Sequence, residues 1–308
     1  VGEYEEARSN IILSSSKDHC ADCSGTESAA LDHSEGYVLT STDSENANGD
    51  VTIIGADADG AYYGVMTLRQ MLQQKSADGK IAEVTVEDYP EIEFRGYIEG
   101  FYGYPWTHAE RMSLMEDTPK YKMNTYIYAP KDDPYHRADW KELYPDDKAQ
   151  EIAELAQAGH DNNFNFCWTI HPGATLQFND TDFQALIRKY EQLYDLGVRQ
   201  FGVLFDDTND WTNGAAQVEF INRIDDEFVK EKGDVRPLIV VAARYNSAWG
   251  PSVSYFRPYM ADLHSDIQIM WTGAATMSNI SREVYEWPKT WTGVDRDLAV
   301  RWNYPVNE

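Results

Sequence analysis

The chain has 308 residues, 42% of them hydrophobic and 13% aromatic, and its 52 acidic and 26 basic side chains give a net charge of -26. This length suffices for one large domain with a filled core and a small second domain. So negative a surface repels nucleic acids and no apolar stretch reaches the roughly 20 residues that span a bilayer, so we expect neither a nucleic-acid partner nor a membrane span.

Residues 1–88 are predicted to form a small α+β domain. Residues 37–40 and 51–54 alternate like two strands with a turn-rich stretch between them, and residues 61–73 have the apolar spacing of a helix. The sequence Asp-Tyr-Pro at 88–90 then marks a linker.

Residues 13–36 are polar and are predicted to be loop. They contain Cys20 and Cys23 in a C-x-x-C pattern, while Cys167 lies in an apolar run. A zinc site needs further ligands at the right spacing, and none follows. We expect a local disulfide between Cys20 and Cys23, or no bond at all.

From residue 93 onward, strand-like and helix-like runs alternate. The predicted strands are residues 94–98, 123–129, 164–170, 200–205, 238–243, 267–271 and 298–302. The predicted helices are residues 109–117, 148–158, 182–196, 215–232, 254–263 and 282–289. This alternation predicts parallel strands with right-handed crossovers. Because polar residues follow nearly every strand, we expect an α/β fold of the TIM (β/α)8 type over residues 89–308, truncated before strand 8.

One strand ends on two adjacent carboxylates, Asp206 and Asp207, after the apolar run at 202–205. Such a run is typical of a strand buried on both faces, and charges at its end lie at the mouth of the barrel, where active sites form. Neighbouring carboxylates repel each other, so the pKa of one rises and it can hold a proton near neutral pH. The pair therefore predicts a general acid and a hydrolase.

Polar residues after the other strands are expected at the same rim. Together the six groups are residues 99–103, 130–133, 206–207, 244–245, 272–273 and 303–305. Taken singly, each has a structural alternative: Tyr245 and Trp271 also suit an ordinary core, and Gly100 also suits a tight turn.

The carboxylate pair has alternatives as well. Asp is a good N-cap, so Asp206 and Asp207 also suit the start of the next helix. A metal site with Asp132 or Asp133 is a further alternative, although Lys131 beside them argues against a cation. Lys131 itself also suits a surface ion pair with Asp132 or Asp133.

Three motifs stand out: F-R-G-Y-I-E-G-F-Y-G-Y-P-W at 94–106, N-T-Y-I-Y-A-P-K-D-D-P-Y-H-R at 124–137 and L-F-D-D at 204–207. They resemble motifs of glycoside hydrolase family 84, which contains bacterial β-N-acetylglucosaminidases once called hyaluronidases and the eukaryotic O-GlcNAcases. Residues 51–72, with G-A-Y-Y-G at 60–64, are similar to the small domain that precedes such barrels.

The resemblance implies a retaining exo-β-N-acetylglucosaminidase that releases terminal N-acetylglucosamine from glycans or glycoproteins by substrate-assisted catalysis through an oxazoline. It implies that Asp206 holds the acetamido N–H and that Asp207 is the acid and then the base. It implies no metal and no organic cofactor.

The same resemblance assigns substrate contacts to Gly100, Lys131, Tyr245, Trp271, Thr272, Asn303 and Glu308. Two positions depart from the family: Arg301 stands where a tryptophan is usual, and Glu308 stands where an aspartate binds the sugar hydroxyls. A misplacement of about 1 Å in such a site can lower the rate ~100-fold. Two alternative functions therefore remain open, a weakly active or inactive glycan-binding barrel and an endo-acting hyaluronidase.

The numbering begins at Val1 without a signal-peptide pattern, as expected for a mature or trimmed chain. Together with the high negative charge, this leads us to expect an extracellular or cell-surface protein.

Overall fold

The structure is a computed structural model that describes residues 11–16, 28–42, 49–74, 82–206, 208 and 213–303. The chain divides into two compact units, one formed by residues 1–95 and 117–124 and the other by residues 96–116 and 125–308. None of the described helices has the length and apolarity needed to cross a bilayer.

The smaller unit contains a four-stranded sheet with the strand order β1-β3-β2-β4 and one long helix. Its elements are β1 (Ile11–Ser14), β2 (Tyr37–Ser41), β3 (Val51–Gly55), α1 (Ala58–Gln73) and β4 (Val84–Asp88). β2 and β3 pair antiparallel, as the alternating pattern predicts. The Asp57 side chain caps α1 by accepting a hydrogen bond from the Gly60 amide.

Two strands of this sheet were not predicted from the sequence. β1 runs parallel to β3, and β4 pairs antiparallel with β2. A short 3-10 helix, Ala29–Asp32, also lies within the segment predicted to be loop, so that prediction is wrong there. The alternating apolar and polar residues of β4 indicate a strand, whereas β1 has only three apolar residues, too few for a clear periodic pattern.

The larger unit contains a curled sheet of seven parallel strands, each hydrogen-bonded to the next along the chain. The strands are β5 (Gly96–Glu99), β6 (Thr125–Tyr128), β7 (Asn165–Ile170), β8 (Gln200–Leu204), β9 (Ile239–Val241), β10 (Gln268–Trp271) and β11 (Ala299–Val300). The helices are α2 (His108–Asp117), α3 (Asp146–Asp161), α4 (Asp180–Asp195), α5 (Gly214–Ile224), α6 (Lys230–Lys232), α7 (Val253–Ala261) and α8 (Arg282–Thr292). A π-helical segment, Asp225–Val229, joins α5 to α6.

These elements confirm the predicted fold class, a TIM (β/α)8-type barrel with seven strands in the described part of the chain and a small α+β domain before it. Strands β6 and β8 are buried at every residue, because helices cover one face and the barrel interior covers the other. Gly202 in β8 allows close packing: a Cβ there would lie 2.6 Å from the Ile239 carbonyl oxygen in β9.

A buried ion pair anchors the end of β5. Glu99 is only 1% exposed and accepts hydrogen bonds of 2.8 Å from both Nε and Nη2 of Arg111 in α2. The Tyr126 hydroxyl and the Trp106 amide also donate to Glu99. Because a bidentate guanidinium satisfies most of its lone pairs, this carboxylate can be buried without a large penalty.

We expect Arg111→Met to lower the free energy of unfolding by about 3–5 kcal/mol, because it leaves the buried Glu99 without its counter-charge. Urea unfolding would measure the loss. The double variant Glu99→Gln with Arg111→Met should recover part of it. The control, Arg282→Met, removes an exposed ion pair with Glu286 and should change stability by at most about 1 kcal/mol. Equal losses for the two arginine variants would contradict this role of Arg111.

Candidate active site

Asp206 is the centre of the site and comes directly after β8 and Phe205. Its side chain is buried, with 3% of the residue exposed. Oδ2 accepts a hydrogen bond of 3.0 Å from Arg301 Nη1. Oδ1 is buried too and accepts no hydrogen bond from the residues that the structure describes. Among the described residues, therefore, one oxygen of this carboxylate has a donor and the other has none.

Positive charges hold Asp206 in its ionised form. Burial by itself would raise its pKa, but the charges of Arg301, His171 and Lys131, together with the Arg301 hydrogen bond, lower the pKa to about 2. Asp206 is thus a carboxylate at neutral pH, with the Arg301 guanidinium as its contacting counter-charge.

Arg301 brings three of the predicted site residues together. It is 7% exposed, and its backbone amide donates to the Trp271 carbonyl at 2.9 Å. Its guanidinium lies 5.2 Å from the centre of the Tyr245 ring. A Cβ at Gly100 would lie 3.5 Å from Nη2 of the same guanidinium. Gly100, Asp206 and Tyr245 therefore surround one cation at the carboxyl ends of β5, β8 and β9.

Lys131 follows β6 and contributes positive charge near Asp206. Its ammonium lies 4.9 Å from the ring centre of Tyr102 in the loop after β5. A nearby carboxylate, Asp133, serves the loop instead, since it accepts hydrogen bonds from the hydroxyls of Tyr128 at 2.9 Å and Tyr144 at 2.5 Å. Asp133 therefore fixes the loop after β6.

The other predicted contacts occupy different surroundings. The Trp271 indole packs on Phe256 of α7 and Trp287 of α8, with ring centres 5.2 and 5.9 Å away, so it contributes to the core between sheet and helices. Thr272 Oγ1 lies 3.2 Å from the Tyr245 carbonyl and 3.0 Å from the Ala275 carbonyl. Asn303 is half-buried after β11. Asp207 and Glu308 lie outside the described residues, as do Cys20 and Cys23, and the sugar-contact roles stay predictions.

The structure also decides between some of the alternatives. The N-cap of α5 is Asn213, so Asp206 does not cap this helix. The described residues include one cluster with metal-compatible spacing, Asp225, Asp226 and His264, which does not involve Asp206. Lys230 Nζ lies 2.9 Å from Asp225 and 2.8 Å from Asp226, so an ammonium already balances that cluster.

His171 is a site residue that the sequence analysis missed. It follows β7 directly, and its Nε2 donates to the backbone carbonyl of Asp206. The same nitrogen lies 3.9 Å from Asp206 Oδ1. Its position at the end of a predicted strand could have identified it as a candidate site residue. His171 helps to fix the backbone on which the carboxylate is mounted.

Comparison with known proteins agrees with this geometry. The family model described as beta-N-acetylglucosaminidase matches residues 95–308, and the one described as Glycosyl hydrolase family 20, domain 2, matches residues 3–89. Protein O-GlcNAcase of Rattus norvegicus is 33% identical over 195 residues, which are 59% of this chain and 21% of that protein. Protein O-GlcNAcase of Mus musculus matches to the same extent.

Solved structures are similar in fold. CpGH84B has a TM-score of 0.82 at 37% identity, covering 92% of this chain and 50% of its own. CpGH84D has a TM-score of 0.87 at 31% identity, covering 99% of this chain and 52% of its own. A mutant of the Thermobaculum terrenum O-GlcNAc hydrolase has a TM-score of 0.64 at 31% identity, covering 70% of this chain and 48% of its own.

The barrel and the buried carboxylate at its rim agree with these matches, which are to a family of glycoside hydrolases. The chain belongs to glycoside hydrolase family 84, which confirms the resemblance found in the sequence motifs. It spans about a fifth of the length of the curated relatives and about half of the solved chains.

A second buried histidine makes this region sensitive to acid. His136 lies in the loop after β6, and its Nδ1 donates to the Thr169 carbonyl at 2.6 Å. Burial lowers its pKa to about 3, below the value of about 6.5 expected in the unfolded chain. Between these two pKa values the unfolded chain binds one more proton, so stability falls as the pH drops through this window.

We expect His136→Asn to flatten this pH dependence by about 1.4 kcal/mol per pH unit between pH 6.5 and 4, because one proton no longer binds on unfolding. Urea unfolding at a series of pH values would measure the slope. His160→Asn makes the same change at an exposed position of α3 and is the control. The same slope in His136→Asn and the unaltered protein would refute the assignment.

Proposed function

We propose that the barrel is the catalytic domain of a retaining exo-β-N-acetylglucosaminidase that removes terminal N-acetylglucosamine from glycans or glycoproteins with the help of the substrate's own acetamido group. The observation that carries this proposal is the buried, ionised Asp206, whose Oδ1 accepts no hydrogen bond from the described residues.

An acetamido N–H is a donor of the kind that this open oxygen needs. When the acetamido carbonyl oxygen attacks the anomeric carbon, positive charge develops on the amide nitrogen. A fixed carboxylate beside that nitrogen stabilises the charge at little reorganisation cost, because Asp206 is already buried and held by Arg301. Asp206 therefore suits the group that orients and stabilises the acetamide.

Asp207 follows Asp206 and would move the proton. In the first step the acetamido oxygen forms a bond to the anomeric carbon, the glycosidic bond breaks, and the Asp207 carboxylic acid gives its proton to the leaving oxygen. In the second step Asp207 takes a proton from water, which attacks the anomeric carbon and opens the oxazoline. A negative charge on the preceding residue favours the protonated form of a carboxylic acid, as an acid catalyst requires.

The remaining contacts follow the rim of the barrel. We propose that the Gly100 backbone and the Lys131 side chain bind the sugar, that Tyr245 acts near the reacting carbon, and that Asn303 contacts the sugar or its acetamide. Thr272 and Glu308 complete the proposed contacts, and Trp271, whose ring packs in the core, would support the site through its carbonyl, which accepts a hydrogen bond from the Arg301 amide. The relatives named Protein O-GlcNAcase support a glycoprotein substrate.

Exo-cleavage is the mode that charge favours over hyaluronan cleavage, because a protein with a net charge of -26 repels a polyanionic chain. The same charge supports the proposal of an extracellular or cell-surface location.

We expect Asp207→Asn to lower kcat/KM for an N-acetylglucosaminide with a poor leaving group by about 10²–10⁴-fold, because the leaving oxygen loses its proton donor. The loss should be much smaller for an activated aryl leaving group, which departs without a proton. Initial rates with both substrates would test this. Asp262→Asn makes the same change at an exposed position and is the control, and full activity of Asp207→Asn on both substrates would exclude the assignment.

We expect Asp206→Asn to lower kcat/KM for N-acetylglucosaminides by about 10²–10³-fold, because a neutral amide cannot stabilise the charge on the acetamido nitrogen. Fluorine on the acetamido methyl weakens the attacking oxygen, so rates across a mono-, di- and trifluoroacetamido series report on the acetamide. The slope of log(kcat/KM) against fluorine number should change in Asp206→Asn. An unchanged rate and slope would argue against substrate assistance.

A further inference from the structure

We propose that Arg301 is a positioning residue for this reaction: its guanidinium holds the Asp206 carboxylate by Oδ2, so that Oδ1 is offered, as a charged acceptor, to the substrate. The inference rests on the proposed function but concerns a residue that departs from the family pattern, in which a tryptophan is usual.

The geometry of Arg301 is that of a built-in counter-ion. Its Nη1 lies 3.0 Å from Asp206 Oδ2, and both residues are buried, so water screens the pair little. The Tyr245 ring packs on the guanidinium and the Trp271 carbonyl accepts its backbone N–H, so the cation is fixed from two sides.

Other charged groups also act on Asp206. Lys131 and His171 lie on the loops after β6 and β7, and Arg137 acts on His171 in turn. His171 has its own pKa lowered by burial, so it supplies little positive charge at neutral pH. Arg301 is therefore the permanent charge in direct contact with the carboxylate.

Loss of Arg301 would change what Asp206 offers to the substrate. A buried carboxylate next to a second carboxylate takes up a proton more readily once its counter-ion is gone. A protonated Asp206 is neutral and cannot offset positive charge on the acetamide. A tryptophan at position 301 would provide an N–H but no charge.

The test is the pH dependence of kcat/KM for an aryl N-acetylglucosaminide in the full chain. In Arg301→Met the pH at which Asp206 takes up a proton should rise by about 1–3 units. The variant should therefore lose kcat/KM at an acidic pH where the unaltered protein is still active, with much of the activity regained above it. Arg301→Lys keeps the charge and should show a smaller shift.

The matched control is Arg296→Met. Arg296 donates to the carbonyls of Leu263, His264 and Ile267 at 2.6 Å, so its loss lowers stability without touching the site. In Arg296→Met the acidic limb of the kcat/KM profile should stay where it is in the unaltered protein. If Arg301→Met lowers activity equally at all pH values, or leaves the limb where it was, Arg301 is merely structural and the inference is wrong.

A second measurement separates this inference from the proposed function. The carboxyl carbon of Asp206, identified by its absence in Asp206→Asn, can be followed by NMR as the pH is lowered, and Arg301→Lys serves if Arg301→Met does not fold. An upward shift of its titration midpoint in the Arg301 variant supports the inference even if no N-acetylglucosaminide is turned over. An unchanged midpoint overturns it even if the enzyme is active.

Discussion

Carboxylates at the ends of parallel strands need partners, and this requirement organises the barrel. Glu99 after β5 is paired with Arg111, and Asp206 after β8 is paired with Arg301. Burying either charge alone would cost several kcal/mol. Each pair therefore ties a strand end to a distant segment, and the positions of α2 and β11 are coupled to the rim where the chemistry is proposed.

The two carboxylates differ in how completely they are satisfied. Glu99 receives two bonds from Arg111 and further bonds from Tyr126 and the Trp106 amide, which leaves little capacity for a ligand. Asp206 has one oxygen on Arg301, while its other oxygen accepts nothing from the described residues. A saturated carboxylate is a structural anchor, whereas a buried acceptor left open is held ready for a donor that arrives with the substrate.

The alternation of apolar runs predicted all seven barrel strands and most helices, because buried parallel strands and amphipathic helices leave strong periodic signals. It could not predict the partner of Asp206, since Arg301 lies 95 residues further along the chain and only the closing of the sheet brings them together. Trp271 shows the complementary limit. The resemblance assigned it to the pocket and an ordinary core was the alternative. Its ring packs on Phe256 and Trp287, because successive strand residues face opposite sides. His171 directly follows a predicted strand, a position that indicates a site residue, but the sequence analysis did not select it.

An arginine at position 301 suits the charge of the whole molecule. A net charge of -26 favours protonation of every carboxylate, and most strongly of one that is buried. A neutral indole at position 301 would leave Asp206 dependent on Lys131 and on His171, whose charge burial suppresses. A guanidinium keeps the carboxylate ionised locally, whatever the surface charge. The same cation partly cancels the field of Asp206 at the substrate, so the carboxylate stabilises positive charge on the acetamide less strongly. Arg301 therefore keeps Asp206 ionised but weakens the electrostatic stabilisation that Asp206 provides.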